Sequence, residues 1–127
     1  MPARIYDLHG VRILECAADG PILRNSGDAV AVIGEALAQG ALLIVIPAAR
    51  LDPGFFQLRT GIAGEIAQKF VNYRRRLAIV GDYAELVARS ATLRDLIYES
   101  NRGDALWFVG GIDEVEKRLA LAAGGPD

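Results

Sequence analysis

FFQLRTGIAGEIAQKFVNYRRRLAIVGD, residues 55–82, holds two hydrophobic periods in succession, and the change from one to the other decides the fold. From Gly61 onward, Ile62, Ile66, Phe70 and Tyr73 recur at helical spacing, which predicts a helix over about Gly61 to Arg75. Its last turns would carry Lys69, Arg74, Arg75 and Arg76, charges that suit the negative end of a helix dipole. Leu77 to Val80 is then an unbroken apolar run closed by Gly81-Asp82, as expected of a strand buried on both faces. A helix leading straight into a fully buried strand is half of a parallel crossover unit.

Working back from Phe55, residues Ala48 to Leu58 form a connection around Asp52-Pro53-Gly54, with a short helical turn expected at Phe55-Phe56. Before it, Leu42 to Ile46 is a second continuous aliphatic run, stopped by Pro47. Asn25-Ser26-Gly27-Asp28 resembles a helix start; Ala29, Val30, Ile33 and Leu37 follow with helical spacing, and Gly40 ends that helix. Arg4 to Leu8 and Val11 to Ala17 read as two strands joined at His9-Gly10. Forward from Asp82, residues Tyr83 to Ser90 are helical or irregular. Thr92 and Asp95 read as a capping-box variant opening a helix to about Ser100, with Asn101-Arg102-Gly103 as its stop. Leu106 to Val109 is the last strand and Ile112 to Ala122 the last helix. The order β-β-α-β-α-β-α-β-α predicts an α/β fold with a mostly parallel sheet of about five strands and an antiparallel N-terminal hairpin. Residues 1–123 are expected to form one domain, with 124–127 as a flexible tail.

Composition narrows the chemistry. A chain of 127 residues, 52% hydrophobic, is long enough for one core without staples. Its apolar runs are too short to span a bilayer, and MPARIYDLHG carries no apolar stretch of the signal-peptide kind, so a cytoplasmic protein with no membrane partner is expected. Fourteen basic against sixteen acidic side chains, net charge -2, argue against a nucleic-acid partner. Even the run Arg74-Arg75-Arg76 has one neighbouring aromatic and reads as a solvated helix end. The single cysteine, Cys16, excludes internal disulfides and cysteine-rich zinc sites. The single histidine, His9, sits in the predicted hairpin turn, a poor place for a catalytic triad. No metal, cofactor or catalytic constellation is indicated.

The segments FFQLRTGIAGEIAQKFVNYRRRLAIVGDY and LRDLIYESNRG resemble the signature of the bacterial DUF4180 family, proteins of unknown function, over nearly the whole chain. That resemblance implies a small α/β domain without an assigned activity. More distantly, the order of elements is similar to the STAS or SpoIIAA-like superfamily, which includes anti-sigma-factor antagonists. There a strand is followed by an Asp-Ser-Ser-Gly-Leu-Gly type loop opening a helix, and the second serine is phosphorylated. Laid on this chain, Thr60-Gly61 falls on the phosphorylatable pair, while Leu58 and Arg59 stand in place of the Asp and first Ser. The resemblance thus implies phosphorylation at Thr60, with Arg59 beside it.

The residues themselves point to the same place. A helix start presents unpaired N–H groups and a positive dipole end, so Thr60-Gly61-Ile62-Ala63-Gly64-Glu65 is a candidate anion site. The alternative is that Thr60 merely caps the helix while Gly61 and Gly64 allow close packing on the sheet. Glu65 is either a base or ligand contact, or a solvated first-turn acid. Phe55 and Phe56 are either core plugs or a binding rim. Asp82, at the carboxyl end of a strand, is either a ligand contact or part of a turn. Tyr98, near a polar helix end, completes the candidates. The leading expectation is a non-enzymatic regulatory domain that presents the Thr60 loop to an unknown protein partner. The alternatives are a small anionic ligand bound at the same sheet edge, with Glu65 or Asp82 in any acid–base role, and a homodimer burying the aliphatic excess.

Overall fold

The computed structural model describes residues 3–123. Among them are β1 (Ala3–Leu8), β2 (Val11–Cys16), α1 (Ser26–Gln39), β3 (Leu43–Pro47), α2 (Ile62–Asn72), β4 (Arg76–Val80), α3 (Ala84–Arg89), α4 (Ala91–Arg102), β5 (Leu106–Val109) and α5 (Ile112–Ala123). The five strands form one sheet in the order β1-β2-β3-β4-β5. The β1–β2 pair is antiparallel and the other pairs are parallel. This is the expected mixed α/β architecture, with one additional helix in the β4–β5 connection. Residues 124–127, expected to be a tail, lie outside the described residues.

Strand order fixes where the helices go. Each parallel crossover steps in the same direction, so right-handed connections place α1, α2 and α4 on one face of the sheet. There Ala29, Ile33, Ala36, Ala63, Ile66 and Phe70 pack with Leu14, Ile44, Ile46, Leu77, Ile79 and Phe108. The opposite face, with Ile13, Leu43, Val45, Ala78, Trp107 and Val109, is covered by Val115 and Leu119 of α5. Consecutive strand residues alternate between the two clusters, so β3 throughout and β4 from Leu77 onward are apolar without a break. The strand order never reverses, so the sheet has no crevice of the doubly wound kind.

Local chemistry sets the element ends. His9 and Gly10 both take positive φ, 50° and 82°, which is the requirement of a tight two-residue hairpin turn. Asn25 caps α1 by accepting from Asp28 N at 3.0 Å, and left-handed Gly40 closes it. Helix α2 is shorter than its hydrophobic period suggests. It stops at Asn72, because Arg75 N bonds back to Phe70 O at 2.8 Å and Arg74 N to Val71 O at 2.9 Å, a Schellman closure with Arg74 at φ 55°. Arg74, Arg75 and Arg76 therefore follow the helix, and Arg76 opens β4 with its guanidinium 4.6 Å from the Trp107 ring centroid. Helix α4 likewise starts at Ala91 rather than at Thr92. Helix α3 ends only at Arg89, so the one residue between the helices, Ser90, is the cap and accepts from Leu93 N at 3.1 Å.

Candidate functional site

The segment between β3 and α2 is three successive 3₁₀ turns, Ala48–Arg50, Pro53–Phe56 and Leu58–Thr60. Asp52 starts the second by accepting from Gly54 N at 2.8 Å, with Pro53 pre-set at the first helical position. Thr60 ties the end of the segment together. Its hydroxyl lies 2.7 Å from Gly54 O and 2.8 Å from Gln57 O, and accepts from Ile62 N at 3.2 Å. The single hydroxyl proton serves one of the two carbonyls at a time. Gly61 follows at φ 79°, a left-handed conformation that glycine adopts without strain.

Phe55 is buried and Phe56 half-buried, and together they anchor this segment. Their rings meet at 5.1 Å; Phe56 lies 6.1 Å from Tyr83, and Tyr83 meets Phe108 edge-on at 5.5 Å. Tyr83 donates its hydroxyl to Ile79 O, and burial, with a smaller contribution from the Glu114 charge, pushes its acidity to higher pH. A continuous aromatic row thus joins the loop to β5 and to the start of α3.

The expected site residues are placed differently from one another. Glu65 is exposed in the first turn of α2. Gly64 is exposed too, and a Cβ there would meet nothing within 4 Å, so close packing on the sheet is not its role. Asp82 is exposed and accepts from Ala84 N at 3.0 Å at the start of α3. Tyr98, 63% exposed on α4, has the Arg102 guanidinium 5.7 Å from its ring centroid. Phe56 and Arg59, by contrast, share an open cleft of about 570 Å³ with Gln57, Leu58, Arg89, Ser90 and Thr92. Arg59 lies in the last 3₁₀ turn after β3, and Arg89 is the last residue of α3, which follows β4. Among the described residues neither forms an ion pair within 4.0 Å. Arg89, Ser90 and Thr92 had no sequence signal as a binding surface, since only the tertiary fold brings them to Arg59.

A second pocket of about 250 Å³ lies between Cys16, at the end of β2, and Arg50, just after β3, under the flank of α1. Arg50 is only 6% exposed, the one buried charged side chain among the described residues. Its sequence trace is an arginine enclosed by apolar neighbours directly after a buried strand, Pro47-Ala48-Ala49-Arg50-Leu51. Burial pushes the Cys16 thiol up to about 11; the Arg50 charge opposes the rise, and Glu35 and Glu15 add to it.

Among the described residues no group of three or more His, Cys, Asp or Glu side chains is placed to hold a metal ion, and no helix is long and apolar enough to cross a membrane. A family model described as a domain of unknown function, DUF4180, matches residues 8–119. No curated protein and no solved structure matches the chain.

Proposed function

We propose that this chain, which belongs to the DUF4180 family, is a non-enzymatic protein-interaction domain of STAS-like type that holds an acidic segment of a partner protein in the cleft between Arg59 and Arg89. The observation that carries the reading is the pair of exposed arginines, free of ion pairs among the described residues, lining one cleft with Ser90 and Thr92. Guanidinium forks recognise carboxylates with two parallel hydrogen bonds, and the aromatic anchorage of Phe55 and Phe56 holds the Arg59 loop in place before a partner arrives. Regulation enters through Thr60. A phosphate there adds a charge of about -1.5 to -2 next to Arg59 and removes the hydroxyl proton for which the Gly54 and Gln57 carbonyls compete. The modified loop would lose both its anchor and its free cation.

Affinity capture from native cell extract, comparing wild type with Arg59→Glu/Arg89→Glu and with Thr60→Glu, tests this reading. A partner held by wild type should weaken at least tenfold, about 1.4 kcal/mol, in both variants. Equal retention by folded variants removes the cleft from the interaction. A small free anion in the same cleft is the second reading, favoured by a volume within the roughly 300–1,000 Å³ range of small-molecule sites. It is supported if small anions, and no protein, compete for the arginines.

A further inference from the structure

We infer that the pocket beside Arg50 is a binding site for a small carboxylate with an aliphatic body. An almost fully buried guanidinium is strongly disfavoured unless its charge and its five N–H groups find partners. Here Nε donates to Pro21 O and Nη1 to Ala17 O at 2.8 Å, both neutral carbonyls of the turn after β2. No carboxylate lies within 4.0 Å of the group among the described residues, and Nη2 has no described hydrogen-bond partner. The two carbonyls therefore take one N–H each from Nε and Nη1, and Nη2 is left without a described partner beside the pocket that Arg50 lines.

The surroundings define what fits. Gly20 leaves room for the guanidinium: a Cβ there would lie 2.5 Å from Arg50 Cζ. A guanidinium nitrogen whose N–H groups have no described partner suits a carboxylate oxygen. Pro21, Ile22, Leu23, Ala31 and Val32 supply an apolar wall for an aliphatic body. Asp28 and Glu35 also line the pocket, and Asp28 is itself held by Arg24 N at 2.8 Å. Their charge selects against a phosphate dianion and favours a monoanion or a zwitterion. The volume of about 250 Å³ limits the ligand to a few carbon atoms. The pocket shares no lining residue with the Arg59–Arg89 cleft, so this inference stands or falls independently of the partner reading.

The test is an amide NMR titration of the full chain with 3-methylbutanoate, leucine, 3-methylbutanamide and inorganic phosphate. Saturable shifts at Gly20, Leu23 and Val32 are expected with 3-methylbutanoate or leucine, at least tenfold weaker with the uncharged amide and absent with phosphate. Arg50→Met should abolish binding but also releases the turn at Ala17 and Pro21. Ala31→Trp, which fills the pocket from an exposed helix position and leaves Arg50 intact, is therefore the deciding variant and should abolish the shifts as well. Equal binding of acid and amide, tighter binding of phosphate, shifts that survive in Ala31→Trp, or no saturable shift with either carboxylate would each overturn the inference and leave Arg50 as a clamp alone.

Discussion

Asn101 pairs with the backbone of Phe108 as a strand would: Phe108 N donates to Asn101 Oδ1 at 2.7 Å, and Asn101 Nδ2 donates to Phe108 O at 3.1 Å. Among the described residues strand β5 is the edge of the sheet, so these two groups have no neighbouring strand there to meet. The last turn of α4 supplies one side-chain amide in its place and protects an edge that would otherwise invite another chain. Asn101→Leu should destabilise the fold by about 1–3 kcal/mol, because it strands a part-buried donor and acceptor at once. Urea denaturation checks the loss, and faster hydrogen exchange at the Phe108 amide locates it. An unchanged exchange rate would show that water replaces the amide without cost.

Thr60 has a role that exists before any partner binds. Thr60→Val removes the hydroxyl that bridges Gly54, Gln57 and Ile62 while keeping the branched shape, and should cost about 1–2 kcal/mol. Thr60→Ser keeps the hydroxyl and should stay within about 0.5 kcal/mol of wild type. If valine proves as stable as serine, the hydroxyl is free for modification without disturbing the loop.

Arg74 occupies a position that glycine fills in the first helix. Gly40 closes α1 at φ 71°, with Ala41 N bonded to Ala36 O; Arg74 closes α2 at φ 55°, with Arg75 N bonded to Phe70 O. A non-glycine residue in the left-handed region carries steric strain of about 1 kcal/mol. Arg74→Gly should therefore raise stability by up to about 1 kcal/mol, even though the unfolded chain gains freedom. A lower midpoint in the same denaturation experiment would show that the arginine side chain contributes more than its backbone strain costs.

These residues also mark what could be read without coordinates. Ile66 and Phe70, or Ile44 and Ile46, declare their environment through spacing alone, because period and run length depend only on near neighbours. The fold class and the DUF4180 family both follow from such local signals. Asn101 was legible as a helix stop, but its pairing with Phe108 depends on the turn after α4 folding back. Arg59 and Arg89 are thirty residues apart and become neighbours only through the aromatic row that seats the loop. Arg50 was hidden for the opposite reason: an arginine in a turn is ordinarily solvated, and nothing local to Ala48-Ala49-Arg50 reveals that Gly20 makes room for it. Burial of a charge is decided by distant chain.

Cys16 gives the chain a pH dependence whose sign is fixed. Burial among apolar neighbours raises its thiol from 9.0 to about 11, with the Arg50 charge working against the rise and Glu35 and Glu15 adding to it. The folded state therefore keeps the proton where the unfolded state has already lost it. The stabilisation is complete below pH 9 and drains away between pH 9 and about 11, an effect on the order of 2–3 kcal/mol. Tyr6 and Tyr83, both also shifted upward mainly by burial, add to the loss at the alkaline end of the range. The comparison that isolates the thiol is wild type against Cys16→Ala: the variant starts less stable by the lost packing, yet its stability should fall less steeply from pH 9 to 11. Alkylation supplies an independent reading, since iodoacetamide should modify native Cys16 far more slowly than the unfolded chain at pH 8. Parallel pH profiles and equal alkylation rates would together mean that the thiol is open to solvent in the native protein.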